Sequence, residues 1–202
     1  NRRAQQSGST RIPLQSVDVG GGLGVPYGER ERPLDLGRLG HLLAPVAAEV
    51  PDEWAEIPRP DALVALGWQG LLRVLRDGAP VHHLPPGPSP VVRRANLVGV
   101  GSDDVDEATT PAHLAEFMHP GATLLFTDGV HGGTAYRVGE RHGDLDARHW
   151  HSIPIQKYVD PVGAGDTFLA AVFAAWVDPA ITSDWDGPDP DLRLGAACGS
   201  LI

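Results

Sequence analysis

Cysteine is almost absent from this chain. One residue, Cys198, stands among 202, which excludes an internal disulfide and any multi-cysteine zinc site. Flanked by Ala196, Ala197 and Gly199, it reads as a small buried packing residue. Basic charge is also scarce. Sixteen Lys and Arg face 26 Asp and Glu, giving a formal charge of -10. No basic field exists to neutralise phosphates along a nucleic acid, so that class of partner is disfavoured. The pairs Arg2-Arg3 and Arg93-Arg94 are too isolated to form a patch. Long apolar runs are missing too. The longest candidate, Phe168 to Val177, falls well short of the roughly 18 residues a membrane span needs. A reduced, cytoplasmic setting without a membrane fits these absences.

What is present is enough for a core. Apolar residues make up 42% of the chain, which sets aside disorder of the whole. Glycine, at 25 residues, and proline, at 19, both exceed ordinary usage, so many loops and tight turns are expected. Asn1 stands where an initiator methionine would, and the chain stops inside an apolar run at Ile202. The expectation is a fragment missing both ends.

Residues 16–40 are glycine-rich and charged, with Gly20, Gly21, Gly22 and Gly24 close together. No clean strand leads in and no helix follows, which leaves a mobile flap or a ligand loop open. Short apolar segments then recur: Leu42 to Val46, Leu63 to Leu66, Asn96 to Val100 and Ala122 to Thr127 read as buried strands. Leu71 to Leu75 is a short strand or a helical turn. The proline-rich run 84–90 can hold neither a helix nor a central strand. Pro111 to Met118 reads as a helix, capped by Thr110 with Pro111 at its first position. Thr134 to Val138 and His149 to Ile155 alternate and predict an antiparallel hairpin near a sheet edge. Thr167 to Val177 and Leu192 to Ile202 read as helices, with a loop over 178–191 between them. Strands alternating with helical segments predict an α/β layer fold with a largely parallel sheet.

Gly163, Ala164, Gly165 and Asp166 open the first of those last two helices. Small residues let backbone amides approach an anion, and a helix N-terminus adds unpaired amides and a favourable dipole. A carboxylate there would repel bound phosphate, yet it has a use beside a transferring phosphoryl group: it can accept the proton of an attacking hydroxyl. The plainer alternative is a first-turn acidic residue after a glycine turn. His149 and His151 share one face of a strand without a local third ligand, so they read as edge histidines. His82 and His83 point oppositely in a strand. Arg73 and Arg76 could reach a phosphate or be solvated.

The stretch from Asp160 to Phe168 resembles the signature of the ribokinase-like, or PfkB-type, carbohydrate kinases, Asp-Thr-x-Gly-Ala-Gly-Asp-x-Phe, with Pro161 in place of the threonine. Phe126 to Gly129 with Gly132 to Tyr136 resembles that family's strand-Thr-x-Gly loop and hairpin. Leu43 to Val46 with Glu49 resembles its strand-Pro-x-x-x-Glu segment, and Asn1 to Gln5 its Arg-x-Gln neighbourhood. Together these segments cover residues 41–202, with 1–40 as a partial, flexible segment. The resemblance implies a three-layer ribokinase-like fold missing its N-terminal portion. It implies an ATP-dependent kinase acting on a hydroxyl of a small molecule, with ATP and magnesium as cofactors and room for a monovalent cation or a homodimer. It implies Asp166 as catalytic base, with Gly163, Ala164 and Gly165 as the anion hole. Thr127, Gly129 and Gly132, with Gly163 and Gly165, would lie near the nucleotide.

One departure stands out. The family's Asn-x-x-Glu motif near magnesium aligns with Gly101 and Asp104. Asp104 keeps a carboxylate suited to the metal, whereas Gly101 offers no amide group. A solvated acidic helix start over Asp103 to Glu107 is the other reading. A non-catalytic binder of the same fold and a Rossmann-like oxidoreductase are the competing functions. The second would need a glycine fingerprint straight after its first strand, a frame that Gly20 to Gly24 lack.

Overall fold

The computed structural model describes residues 50–74, 82–141, 143–154 and 163–200. The segments read at 16–40 and 42–46 lie outside them. Among the described residues there are seven strands: β1 (Ala65–Gly67), β2 (Arg73–Val74), β3 (His82–His83), β4 (Leu97–Gly101), β5 (Thr123–Thr127), β6 (Gly133–Val138) and β7 (Leu145–Trp150). Four α-helices accompany them: α1 (Pro90–Arg94), α2 (Pro111–Ala115), α3 (Ala164–Val177) and α4 (Pro190–Gly199).

The main sheet runs β1-β4-β5-β6-β7, and β2 and β3 form a separate antiparallel pair. The pairings β1–β4 and β4–β5 are parallel, but β5–β6 and β6–β7 are antiparallel. The expected largely parallel sheet is therefore corrected to a mixed one. The reason is connection length. Only residues 128–132 separate β5 from β6, whereas a parallel return needs a crossover of about a dozen residues. The predicted hairpin is present, although its second strand ends at Trp150 rather than running on to Ile155.

Strand alternation sorts the core onto both sheet faces. Val98, Val100 and Leu124 join Trp68, Leu72, Val92 from α1 and Leu114 from α2 on one side. Leu97, Leu125 and Ala135 join Phe168 and Val172 from α3 and Leu192 from α4 on the other. Helices therefore cover both faces, giving three layers. Asn96 ties β1 to β4 through its side chain, its Oδ1 accepting from the Val64 amide at 2.9 Å.

Local chemistry sets the helix ends. Helix α2 starts where expected, with Thr110 Oγ1 accepting from the His113 amide at 3.2 Å, but it stops at Ala115 rather than Met118. Helix α1 was not read from the sequence. The expectation that 84–90 holds no helix is corrected at its last residue: the Ser89 hydroxyl caps the Val91 amide and Pro90 takes the first helical position, where its missing N–H costs nothing. The expected loop over 178–191 contains a short 3-10 turn at Pro179–Thr182, capped by Asp178. Cys198 is half-buried rather than buried.

Helices α3 and α4 approach closely because Gly195 has no side chain. A Cβ there would lie 2.7 Å from Val172 Cγ2 and 2.8 Å from the Phe168 ring. That ring is stacked on Trp150 of β7, centroids 4.7 Å apart and planes 18° apart. The stack pins the first turns of α3 to the sheet, which fixes where Asp166 sits.

Candidate active site

Strands β1, β4 and β5 run in the same direction, so their C-terminal ends, Gly67, Gly101 and Thr127, form one rim. In open α/β sheets this rim is the usual seat of ligands. Helix α3 aims its N-terminus at it. Gly163 caps the helix at φ 86°, a left-handed conformation that glycine adopts without a Cβ penalty. The first intrahelical bond runs from the Thr167 amide to the Gly163 carbonyl. The amides of Ala164 and Gly165, ahead of that bond, are among those a helix leaves without an intrahelical partner. The helix begins at Ala164, earlier than the sequence suggested, which places Asp166 inside its first turn.

Asp166 faces the end of β1: a Cβ on Gly67 would sit 3.8 Å from its Oδ1. The same oxygen accepts a hydrogen bond from Gln69 Nε2 at 3.3 Å, across 97 positions of sequence. Gln69 lies in the 3-10 turn Trp68–Leu71 that follows β1. Its Oε1 accepts from the Arg73 guanidinium at 3.3 Å. Arg73 in turn pairs with Asp104 Oδ1 at 2.6 Å.

Asp104 is buried and folds back over the end of β4, its Oδ2 accepting from the Gly101 amide at 3.0 Å. A Cβ on Gly101 would lie 3.1 Å from that oxygen and 3.5 Å from Thr127 Oγ1. The glycine that departs from the family motif thus leaves the space into which Asp104 turns. Thr127 Oγ1 donates to the Val100 carbonyl at 3.4 Å, which holds its hydroxyl at the rim.

Gly129 and Gly132 belong to the turn between β5 and β6, which closes through the Asp128 amide and the Gly132 carbonyl at 2.8 Å. Beside this turn lies a cavity of about 460 Å³ lined by Ser102, Asp128, His131, Thr134, His149 and Trp150, among others. Two of these lining residues are joined, Ser102 Oγ donating to Asp128 Oδ1 at 3.2 Å. His149 is not free in this cavity: its Nδ1 is 2.8 Å from Thr134 Oγ1. Among the described residues no cluster of three or more His, Cys, Asp or Glu could hold a metal. Likewise, no described helix is long and apolar enough to cross a membrane.

Gln69 was missed by sequence reasoning, and Arg73 was left between a phosphate contact and a solvated role. The one available signal was their spacing of four straight after a short apolar strand.

The model of the family described as pfkB family carbohydrate kinase matches residues 95–202, more than half of the chain. A fructokinase of Solanum tuberosum is 31% identical over 102 residues, covering 50% of this chain and 29% of that protein. A ribokinase of Thermotoga maritima has 16% identity and a TM-score of 0.48, over 77% of this chain and 46% of its own. A nucleoside kinase of Methanocaldococcus jannaschii has 17% identity and a TM-score of 0.47, over 75% and 44%. The chain thus spans under a third of the curated relative and under half of these two structures. The matched region takes in β4, β5, the hairpin and the Gly163 to Asp166 turn, and on that match the chain belongs to the pfkB family of carbohydrate kinases.

Proposed function

We propose that this chain carries the nucleotide and phosphoryl-transfer part of an ATP-dependent kinase that phosphorylates a hydroxyl of a sugar or related small molecule. The observation that carries the reading is the convergence of Asp166, at the N-terminus of α3, with the rim of β1, β4 and β5. In the reaction the acceptor hydroxyl loses its proton to the Asp166 carboxylate while its oxygen bonds to the γ-phosphorus. The bond from that phosphorus to the β,γ-bridging oxygen breaks and ADP leaves. The amides at Gly163, Ala164 and Gly165 and the dipole of α3 stabilise the negative charge of the transferring group. Thr127, Gly129 and Gly132 border the nucleotide, whose body would take the cavity beside the β5–β6 turn.

Magnesium suits an oxygen donor, and Asp104 supplies one at the rim. Both its oxygens already accept a hydrogen bond, from Arg73 and from the Gly101 amide. The fit is therefore to a hydrated ion held through water on the remaining lone pairs. Bound magnesium would neutralise phosphate charge; Arg73 adds a second positive group on the same side.

The Arg73–Asp104 pair also favours a second reading, a protein of this fold that binds nucleotide without transfer, because it engages the carboxylate assigned to the metal. The test is ADP release by the full-length protein across sugars, polyols and nucleosides, with ATP binding measured directly. Asp166→Asn is expected to lower transfer by roughly 10²-fold or more and to change ATP affinity only a few-fold. Unchanged turnover would overturn the base assignment. Tight ATP binding with no transfer to any acceptor would select the second reading.

A further inference from the structure

A hydrogen-bonded chain links the proposed base to the acidic residue of β4's end: Asp166 to Gln69 at 3.3 Å, Gln69 to Arg73 at 3.3 Å, Arg73 to Asp104 at 2.6 Å, and Asp104 to the Gly101 amide at 3.0 Å. We propose that Gln69 is a positioning residue, its amide bridging Asp166 to the Arg73–Asp104 ion pair and fixing the orientation of the base. This inference rests on the kinase reading above for its catalytic meaning, but not for its physical content.

The direction of the chain is forced. A guanidinium only donates, so Gln69 must turn its oxygen to Arg73. Its NH₂ group is then the end that faces Asp166, and that end only donates. The partner it satisfies is an ionised carboxylate, which only accepts. A protonated Asp166 would still accept through its carbonyl oxygen, but a donor bonds more strongly to a charged acceptor. Gln69 therefore favours the charged, proton-accepting form of Asp166, in addition to aiming it. Arg73 keeps the amide from flipping, and Asp104 keeps Arg73 in place through a charge-assisted bond. Among the described residues, the charged and titratable groups hydrogen-bonded along the chain include Arg73, Asp104 and His83 of β3, whose Nδ1 lies 3.3 Å from the Asp104 carbonyl. The packing of Trp68 and Leu72, both buried on either side of Gln69 in sequence, makes the turn a rigid mount. A group that holds a base in register acts on the chemical step more than on binding.

The experiment uses the full-length protein with Gln69→Leu and Gln69→Glu, the second keeping size and polarity in case the first does not fold. Two readouts are taken: the titration of the Asp166 side-chain carboxyl by carbon NMR, assigned with Asp166→Asn, and the kcat, KM and pH profile of transfer. Losing a donor to the ionised form disfavours that form. Both variants should therefore titrate Asp166 at higher pH than the parent, Gln69→Glu the further because it adds a like charge. The acid limb of kcat/KM should move the same way, and kcat should fall about tenfold or more while the KM for ATP stays within about twofold. An Asp166 titration unmoved in both variants overturns the inference, whatever the activity. Transfer retained by Asp166→Asn would instead overturn the kinase assignment of the base, and the titration would still decide whether Gln69 holds that carboxylate.

Discussion

Replacing Gly195 by alanine sets two opposing effects against each other. In a helix interior alanine is favoured over glycine by about 1 kcal/mol, and Gly195 lies well inside α4. Against that, the new Cβ would stand 2.7 Å from Val172 Cγ2 and 2.8 Å from two ring carbons of Phe168. Carbon atoms prefer separations of about 3.5–4.0 Å, so roughly 1 Å of overlap must be relieved. Neither neighbour yields easily. Val172 is fully buried and β-branched on a helix, with one strongly favoured rotamer. Phe168 is held by its stack on Trp150. Overpacking of this kind costs about 1–3 kcal/mol, so Gly195→Ala should destabilise by about 1 kcal/mol net and move α3 against the sheet. Urea denaturation of the full-length protein reads the stability. Transfer should fall as well, since Asp166 lies two positions before Phe168. A variant stabilised by about 1 kcal/mol, as propensity alone dictates, would refute the claim that glycine sets the α3–α4 distance.

Arg73→Met strips the guanidinium from Asp104, whose side chain is only 12% exposed; Arg73 is itself about a third exposed, so the expected loss is about 2 kcal/mol. Adding Asp104→Asn should restore part of that in a denaturation cycle, and simple additivity would argue against the pair. Gly163→Ala forces a side chain to φ 86° and should cost about 1 kcal/mol, with weaker nucleotide binding by calorimetry as the functional readout. Asp104→Ala should raise the magnesium concentration needed for half-maximal transfer, and an unaltered magnesium curve would remove Asp104 from the metal's neighbourhood.

The parts of the fold legible in the sequence were those with a dense local signal. The apolar runs at Asn96 to Val100 and Ala122 to Thr127 became β4 and β5, because a strand buried on both faces needs an unbroken apolar run. Thr110 and Pro111 marked the start of α2 because capping is a property of two or three adjacent residues. The GAGD turn was legible for the same reason, and the structure sets it at a helix N-terminus as read. Helix α1 was hidden by proline, whose helix-breaking and helix-starting roles look alike until the position of Ser89 is known. The sheet was read as largely parallel because alternation of strands and helices was weighed above connection length. Gln69 was invisible because its meaning depends on contacts 97 and 4 positions away, and no local pattern encodes the longer one.

The switch from parallel to antiparallel pairing at β5 bears directly on the site. A fourth parallel strand would have carried the chain from Thr127 over a crossover to the far end of the sheet. The turn at 128–132 instead reverses it at once, so β6 starts at the rim where β5 ends. Thr127 pairs with Gly133 and also with Gly101, and these three backbone positions lie abreast. The rim therefore gathers the ends of β4 and β5 and the start of β6 in one row, while β1 ends two residues short of that row, with Gly67 level with Gly99. Gly133 pairs on with Trp150, which reaches back to Phe168 in the first turns of α3. The helix that presents Asp166 is thus anchored to the strand that borders the cavity. A change that loosens the Trp150–Phe168 stack should disturb the base and the nucleotide pocket together. Trp150→Leu is the direct test: it should lower stability by about 1–3 kcal/mol and reduce kcat while weakening ATP binding. A variant in which only stability changes, with both kinetic constants intact, would show that the anchor and the site are independent.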